Sequence, residues 1–124
     1  MLWEKNQFDG VVVDPESLSG DTNIFASDLK KAIDDWSSDS IKLVWLQINI
    51  QFFSNIAIAS QLGFINHHAT KDYVMMTLAI EKNTFIPPYS THYVGVGGVV
   101  INDRNEILVV SEKYRSTVKP SYKL

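Results

Sequence analysis

The sequence predicts a mixed α/β (α+β) domain, a small mixed sheet with two helices, followed by a β-hairpin. Three observations carry this. A β-branched run near the start gives way to a segment with helical spacing of apolar residues. A second strand-like run, apolar on both faces, is followed by a second helical pattern and then by a pair of alternating runs. Beyond Pro87-Pro88, a glycine-punctuated valine run and a short partner flank a polar turn.

The first strand is expected over Phe8 to Val13, where Val11-Val12-Val13 lies between Gly10 and Asp14-Pro15. After Glu16 to Gly20, either Asp21 or Thr22 can accept hydrogen bonds from the free N–H groups that open a helix. Phe25, Leu29, Ala32, Ile33 and Trp36 share one face of that helix, and Ser37-Ser38-Asp39-Ser40 ends it. Ile41 to Ile50 is apolar at both alternations, the pattern of a central strand covered on both sides. Asn49 is the expected cap of a second helix whose Phe52, Ile56, Ala59 and Gly63 lie on one face. Gly63 suits the left-handed stop. The strand at 41–50, this helix and a strand starting at Phe64 form an expected βαβ unit. Strands over Phe64 to His68 and Tyr73 to Ile80 then flank a turn at Ala69 to Asp72. In the second of them Val74, Met76, Leu78 and Ile80 share one face.

Pro87-Pro88 removes two backbone donors and fixes an extended chain, so we place a boundary there, giving domains 1–90 and 91–124. In the second, Tyr93 to Ile101 is the expected strand, Asn102 to Asn105 the turn and Glu106 to Ser111 the antiparallel partner. Such a two-stranded ribbon is marginal in water, which leads us to expect pairing of its open edges in a homodimer, or local instability.

Composition narrows the chemistry. With 45% hydrophobic residues, 20% charged residues and fourteen aromatics, the 124-residue chain has the make-up of a folded globular protein. It has no cysteine, so disulfides, thiolate nucleophiles and thiolate zinc sites are excluded. Residues 1–90 carry six lysines against eleven acids, and residues 91–124 carry five cations against three acids. Such dispersed charge implies no nucleic-acid partner. Met1 to Asn6 is neither a basic leader nor an apolar run, and no stretch approaches the roughly 20 apolar residues of a membrane span. The expectation is an intracellular protein, cytoplasmic or nuclear, with no membrane partner.

His92-Tyr93-Val94-Gly95-Val96-Gly97-Gly98-Val99-Val100-Ile101-Asn102, followed by Glu106-Ile107-Leu108-Val109-Val110, resembles the opening hairpin of Nudix hydrolases. Ser121-Tyr122-Lys123-Leu124 is similar to the stretch that leads into Pro-Gly-Gly in that family. Residues 1–90 resemble the accessory domain that precedes the Nudix domain in the antisense fibroblast-growth-factor protein subgroup and in some plant members. The similarity is carried by Val44-Trp45-Leu46, Leu62-Gly63-Phe64 and His67-His68-Ala69. The resemblance implies an incomplete Nudix fold over 91–124, with only its first two strands. It also implies a parent that hydrolyses a nucleoside diphosphate linked to another group, ADP-ribose-like or NADH-like. Mg²⁺ or Mn²⁺ would be held by the glutamates of a Nudix box, Gly-x5-Glu-x7-Arg-Glu-apolar-x-Glu-Glu-x-Gly-apolar.

This chain contains no such box. Arg104 and Arg115 are its only arginines and neither precedes a glutamate. Gly10 and Glu16 share the first spacing, but Ile24 stands where the arginine belongs. No catalytic or metal-binding residue carries over, and no cofactor is expected in the fragment, which is therefore expected to be inactive alone. Glu112, Lys113, Tyr114 and Arg115, just after the second Nudix-like strand, are the candidate substrate-contacting residues. The alternative is that the chain serves as a non-catalytic protein-binding or self-association module.

Three further features have plain structural readings. The β-α-β-α-β-β order also resembles part of an N-acetyltransferase fold, and His92-x-x-Gly95-x-Gly97 approaches its acetyl-coenzyme A signature. A strand run follows where a helix start is required, so the glycines are expected to allow close strand approach or a bulge. His67 and His68, adjacent on a strand, are expected on opposite faces, one buried and one exposed, and so unable to share a metal ion. Met75 and Met76 are expected to fill opposite faces.

Overall fold

The structure, a computed structural model, describes residues 1–109 and the backbone of 110–111 and 122–123. The chain divides into two units, Met1–Tyr89 and Ser90–Leu124.

The first unit is a five-stranded mixed sheet with two helices. Its strands are β1 (Trp3–Lys5), β2 (Gly10–Val13), β3 (Leu43–Asn49), β4 (Ile65–Ala69) and β5 (Tyr73–Ala79), in the spatial order β1-β2-β3-β5-β4. Helix α1 (Thr22–Ser38) connects β2 to β3, which pair in parallel with Val12 opposite Trp45. Asp21, of the two expected cap residues, is the one used: its carboxylate accepts from Asn23 N at 2.8 Å and Ile24 N at 3.1 Å. The expected apolar face of α1 is the one buried, through Phe25, Leu29, Ala32 and Trp36. Val11, Val13, Val44, Leu46, Ile48 and Met76 meet it from the sheet. Each large side chain in this layer contributes on the order of 1.5–3 kcal/mol by leaving water.

The structure departs from the expectations at five points. β1 was not anticipated; its Trp3 lies opposite Val13 and meets the Trp36 ring edge-on at 6.0 Å between centroids. The helical segment after β3 begins as 3-10 structure over Ile50–Asn55 and becomes α2 only at Ile56–Gln61. Asn49 does not cap it, because its side chain is engaged elsewhere, accepting from Gln47 Nε2 and donating to Glu16 Oε1, both at 2.8 Å. Gly63 does close α2, at φ +96°. The expected β3-α2-β4 crossover does not end beside β3: β5 inserts between them, antiparallel to both. Lastly, β3 is central but covered fully on one face only. Val44, Leu46 and Ile48 are buried, while Trp45, Gln47 and Asn49 on the other face are half-buried.

In the second unit, Ile101 and Ile107 form a single antiparallel bridge around a turn in which Asn102 Oδ1 accepts from Arg104 N and Glu106 N. The expected strand from Tyr93 is not formed, and Tyr93, Val94 and Val96 are 90%, 87% and 94% exposed. Among the described residues nothing covers these side chains, and alternation alone does not hold a ladder. Short strands β6 (Val110–Ser111) and β7 (Tyr122–Lys123) pair antiparallel.

Candidate functional site

The open face of the first unit's sheet collects most of its chemistry-bearing side chains. Trp45 on β3 lies opposite Thr77 on β5, and Thr77 lies opposite Ile65 on β4, so the three share this face. Thr77 is buried, with an Oγ1 that has no hydrogen-bond partner among the described residues. Residues 84–89 pass over part of the face, tied at their start by Thr84 Oγ1, which donates to the Glu81 carbonyl at 2.7 Å.

Between Asn66 and His68 the β4–β5 register shifts. This bulge brings His67 and His68 together, against the expectation of opposite faces, because the extra residue breaks the two-residue alternation. Both are half-buried. The His67 ring meets Trp45 edge-on at 4.9 Å, and the His68 ring stacks on Tyr89 at 4.0 Å with planes 11° apart. Their Nδ1 atoms stand 2.7 Å apart.

The outer contacts fix the tautomers of the neutral pair. His67 Nε2 lies 2.6 Å from the Pro87 carbonyl oxygen, which can only accept, so His67 carries its proton on Nε2 and offers Nδ1 as acceptor. His68 must then donate through Nδ1, leaving its Nε2 to accept from the Tyr73 hydroxyl at 3.2 Å. One directed chain results: Tyr73 to His68, His68 to His67, His67 to Pro87. Burial, and then the charge His67 can carry, lower the His68 pKa below the ordinary histidine value. Two nitrogens that share a proton are not a ready chelate, and no group of three or more His, Cys, Asp or Glu suited to a metal ion exists among the described residues.

Beside this cluster lies a groove of about 640 Å³ lined by Phe8, Leu43, Trp45, Phe85 and Pro87, with Asn6, Lys42 and Thr84 as polar members. Lys42 Nζ donates to Asp9 Oδ2 at 3.0 Å, and that hydrogen bond and charge raise its pKa above the ordinary lysine value. The groove is therefore apolar with its one ammonium already paired.

The expected substrate-contacting residues Glu112, Lys113, Tyr114 and Arg115 lie outside the described residues. His92, Gly95 and Gly97 are described: they are exposed and open no helix, so the anion-binding helix start of an acetyltransferase is not formed there. A Cβ at Gly95, Gly97 or Gly98 would meet nothing within 4 Å, which corrects the expectation of close strand approach.

A family model described as the Nudix hydrolase domain matches residues 1–80, and the chain belongs to the Nudix hydrolase family. It is 40% identical over 111 residues to Nudix hydrolase 8 of Arabidopsis thaliana, covering 88% of this chain and 30% of that protein. It is 34% identical over 116 residues to human nucleoside diphosphate-linked moiety X motif 6, covering 89% of this chain and 37% of that protein. The chain thus spans about a third of the length of these relatives. In structure it is similar to the ribosomal-protein-S18-alanine N-acetyltransferase from Escherichia coli, with a TM-score of 0.43, 21% identity, and coverage of 63% of this chain and 61% of that one.

Proposed function

We propose that this chain is the N-terminal part of a Nudix hydrolase whose full-length parent cleaves a nucleoside diphosphate linked to another group, ADP-ribose-like or NADH-like, with Mg²⁺ or Mn²⁺. In this reading residues 1–90 are an accessory domain of the antisense fibroblast-growth-factor subgroup type, and residues 91–124 open the catalytic domain. Glu112 to Arg115 contact substrate in the parent. The protein acts inside the cell without nucleic-acid or membrane partners; among the described residues no helix is long and apolar enough to cross a membrane.

One observation carries the reading. The chain aligns with Nudix relatives along most of its own length, yet its sequence holds no glutamate-rich box to bind the metal that polarises the diphosphate and supplies the attacking hydroxide. The 124-residue protein is accordingly inactive. Incubated with ADP-ribose or NADH and Mg²⁺, it is expected to release no nucleoside monophosphate, and turnover above the uncatalysed rate overturns the assignment.

The first unit's own features favour a second role beside this one. It has a complete buried core and an open, half-covered sheet face, which suits a non-catalytic binding or self-association module. A strict monomer by light scattering, combined with unchanged parent activity after deletion of residues 1–90, rules that role out.

A further inference from the structure

We propose that His67 and His68 form a latch that holds one exchangeable proton between them and, while they share it, fastens residues 87–89 onto the open face of the sheet. Three contacts make the latch. His67 Nε2 donates to the Pro87 carbonyl at 2.6 Å, the two Nδ1 atoms meet at 2.7 Å, and Tyr89 stacks on His68 at 4.0 Å. A hydrogen bond between two imidazole nitrogens requires one donor and one acceptor, so the pair has only certain allowed proton counts.

With both rings neutral, the chain runs from Tyr73 to Pro87 and every link is made. When the pair gains one proton, His67 carries hydrogen on both nitrogens and donates through Nδ1 to His68. His68 then bears its proton on Nε2 and donates to Tyr73 Oη. The His67–His68 link and the Tyr73 link both reverse direction. The Pro87 bond and the Tyr89 stack persist. A second added proton has no such solution. Both Nδ1 atoms then carry hydrogen, and two N–H groups point at each other across 2.7 Å between two positive rings. One ring must turn away, releasing either the Pro87 carbonyl or Tyr89.

Nothing around the pair relieves that second charge. The neutral indole of Trp45 faces it from β3, the Tyr73 hydroxyl from β5, and Tyr89 and the Pro87 carbonyl from the 84–89 segment. Among the described residues no carboxylate lies within ion-pair distance of either ring. The lowered pKa of His68, caused by burial and then by His67, agrees with a pair that resists full protonation. Pro87 also lines the neighbouring groove with Thr84 and Phe85, so release of the latch alters the groove wall.

The test is a titration of the intact 124-residue protein by long-range ¹H–¹⁵N NMR of the imidazoles, following the Tyr89 ring protons in the same spectra. At neutral pH, His67 should show hydrogen on Nε2 and His68 on Nδ1. On acidification the pair should titrate in two resolved steps, with the Tyr89 ring shifts moving to exposed-tyrosine values only in the second. In His68→Gln the second step should disappear from the Tyr89 ring shifts. Independent one-step titrations of His67 and His68 in the unsubstituted 124-residue protein, or the opposite tautomers, overturn the shared proton. Tyr89 shifts that ignore the second step overturn the latch.

Discussion

β5 and the stretch from Tyr93 to Ile101 are both rich in β-branched and apolar residues, yet they reach opposite conditions. Tyr73–Ala79 is hydrogen-bonded on both sides, by β3 and β4, and its Met76 is 1% exposed. Tyr93 to Val100 carries no strand, and its Val96 is 94% exposed. Strand propensity therefore decides little by itself. What differs is a neighbour on each edge and a helical layer to bury one face.

The largest test of that contrast is paired truncation. Trp36 is fully buried against the sheet and in edge contact with Trp3, so Trp36→Ala is expected to cost about 3–5 kcal/mol in urea unfolding of the first unit. Val96→Ala removes no packed atoms and should stay within about 0.5 kcal/mol. Equal costs would mean that the second unit hides a core as large as the first.

Glycine substitution sharpens the comparison at smaller amplitude. Gly63 sits at φ +96°, where a side chain is strained, so Gly63→Ala should destabilise by about 1–3 kcal/mol. A Cβ at Gly97 meets nothing within 4 Å, and Gly97→Ala should leave the same unfolding midpoint unmoved. A shifted midpoint for Gly97→Ala would show that this glycine is packed. Next in size is the cap. Asp21→Ala removes the acceptor of two α1 N–H groups and should cost about 0.5–2 kcal/mol, with Asp21→Asn recovering most of it. An unchanged midpoint in Asp21→Ala would mean that the cap adds nothing to α1.

These contrasts also mark what a reader of the sequence could see. The buried face of α1, the alternation in β5 and the centrality of β3 follow from periodicity, because each is a local pattern that burial then selects. β1 is three residues, Trp-Glu-Lys, too short for any period to declare itself. The insertion of β5 between β3 and β4 is a pairing choice between distant segments, and both orders satisfy the same pattern. The candidate site was least legible. Two-residue alternation separates His67 from His68, and only the bulge between Asn66 and His68 brings them together. The contact to Pro87 spans twenty residues of chain and leaves no local signal.

The smallest expected effect is the dependence of the first unit's stability on pH through His68. Its folded pKa is lowered, chiefly by burial, so the unfolded chain, with an ordinary value near ~6.5, binds more protons between the two. Stability rises with pH wherever the unfolded state holds more protons. The His68 contribution is thus fully present above the unfolded value and is lost as pH falls from there toward the folded one. His68→Gln keeps a polar group at the position and removes the titration, so the urea midpoint should become flatter with pH just below ~6.5. An unchanged slope in the variant would mean that His68 is as free to charge in the folded protein as in the unfolded one. That outcome would mean that burial at the β4 bulge does not oppose a charge on His68.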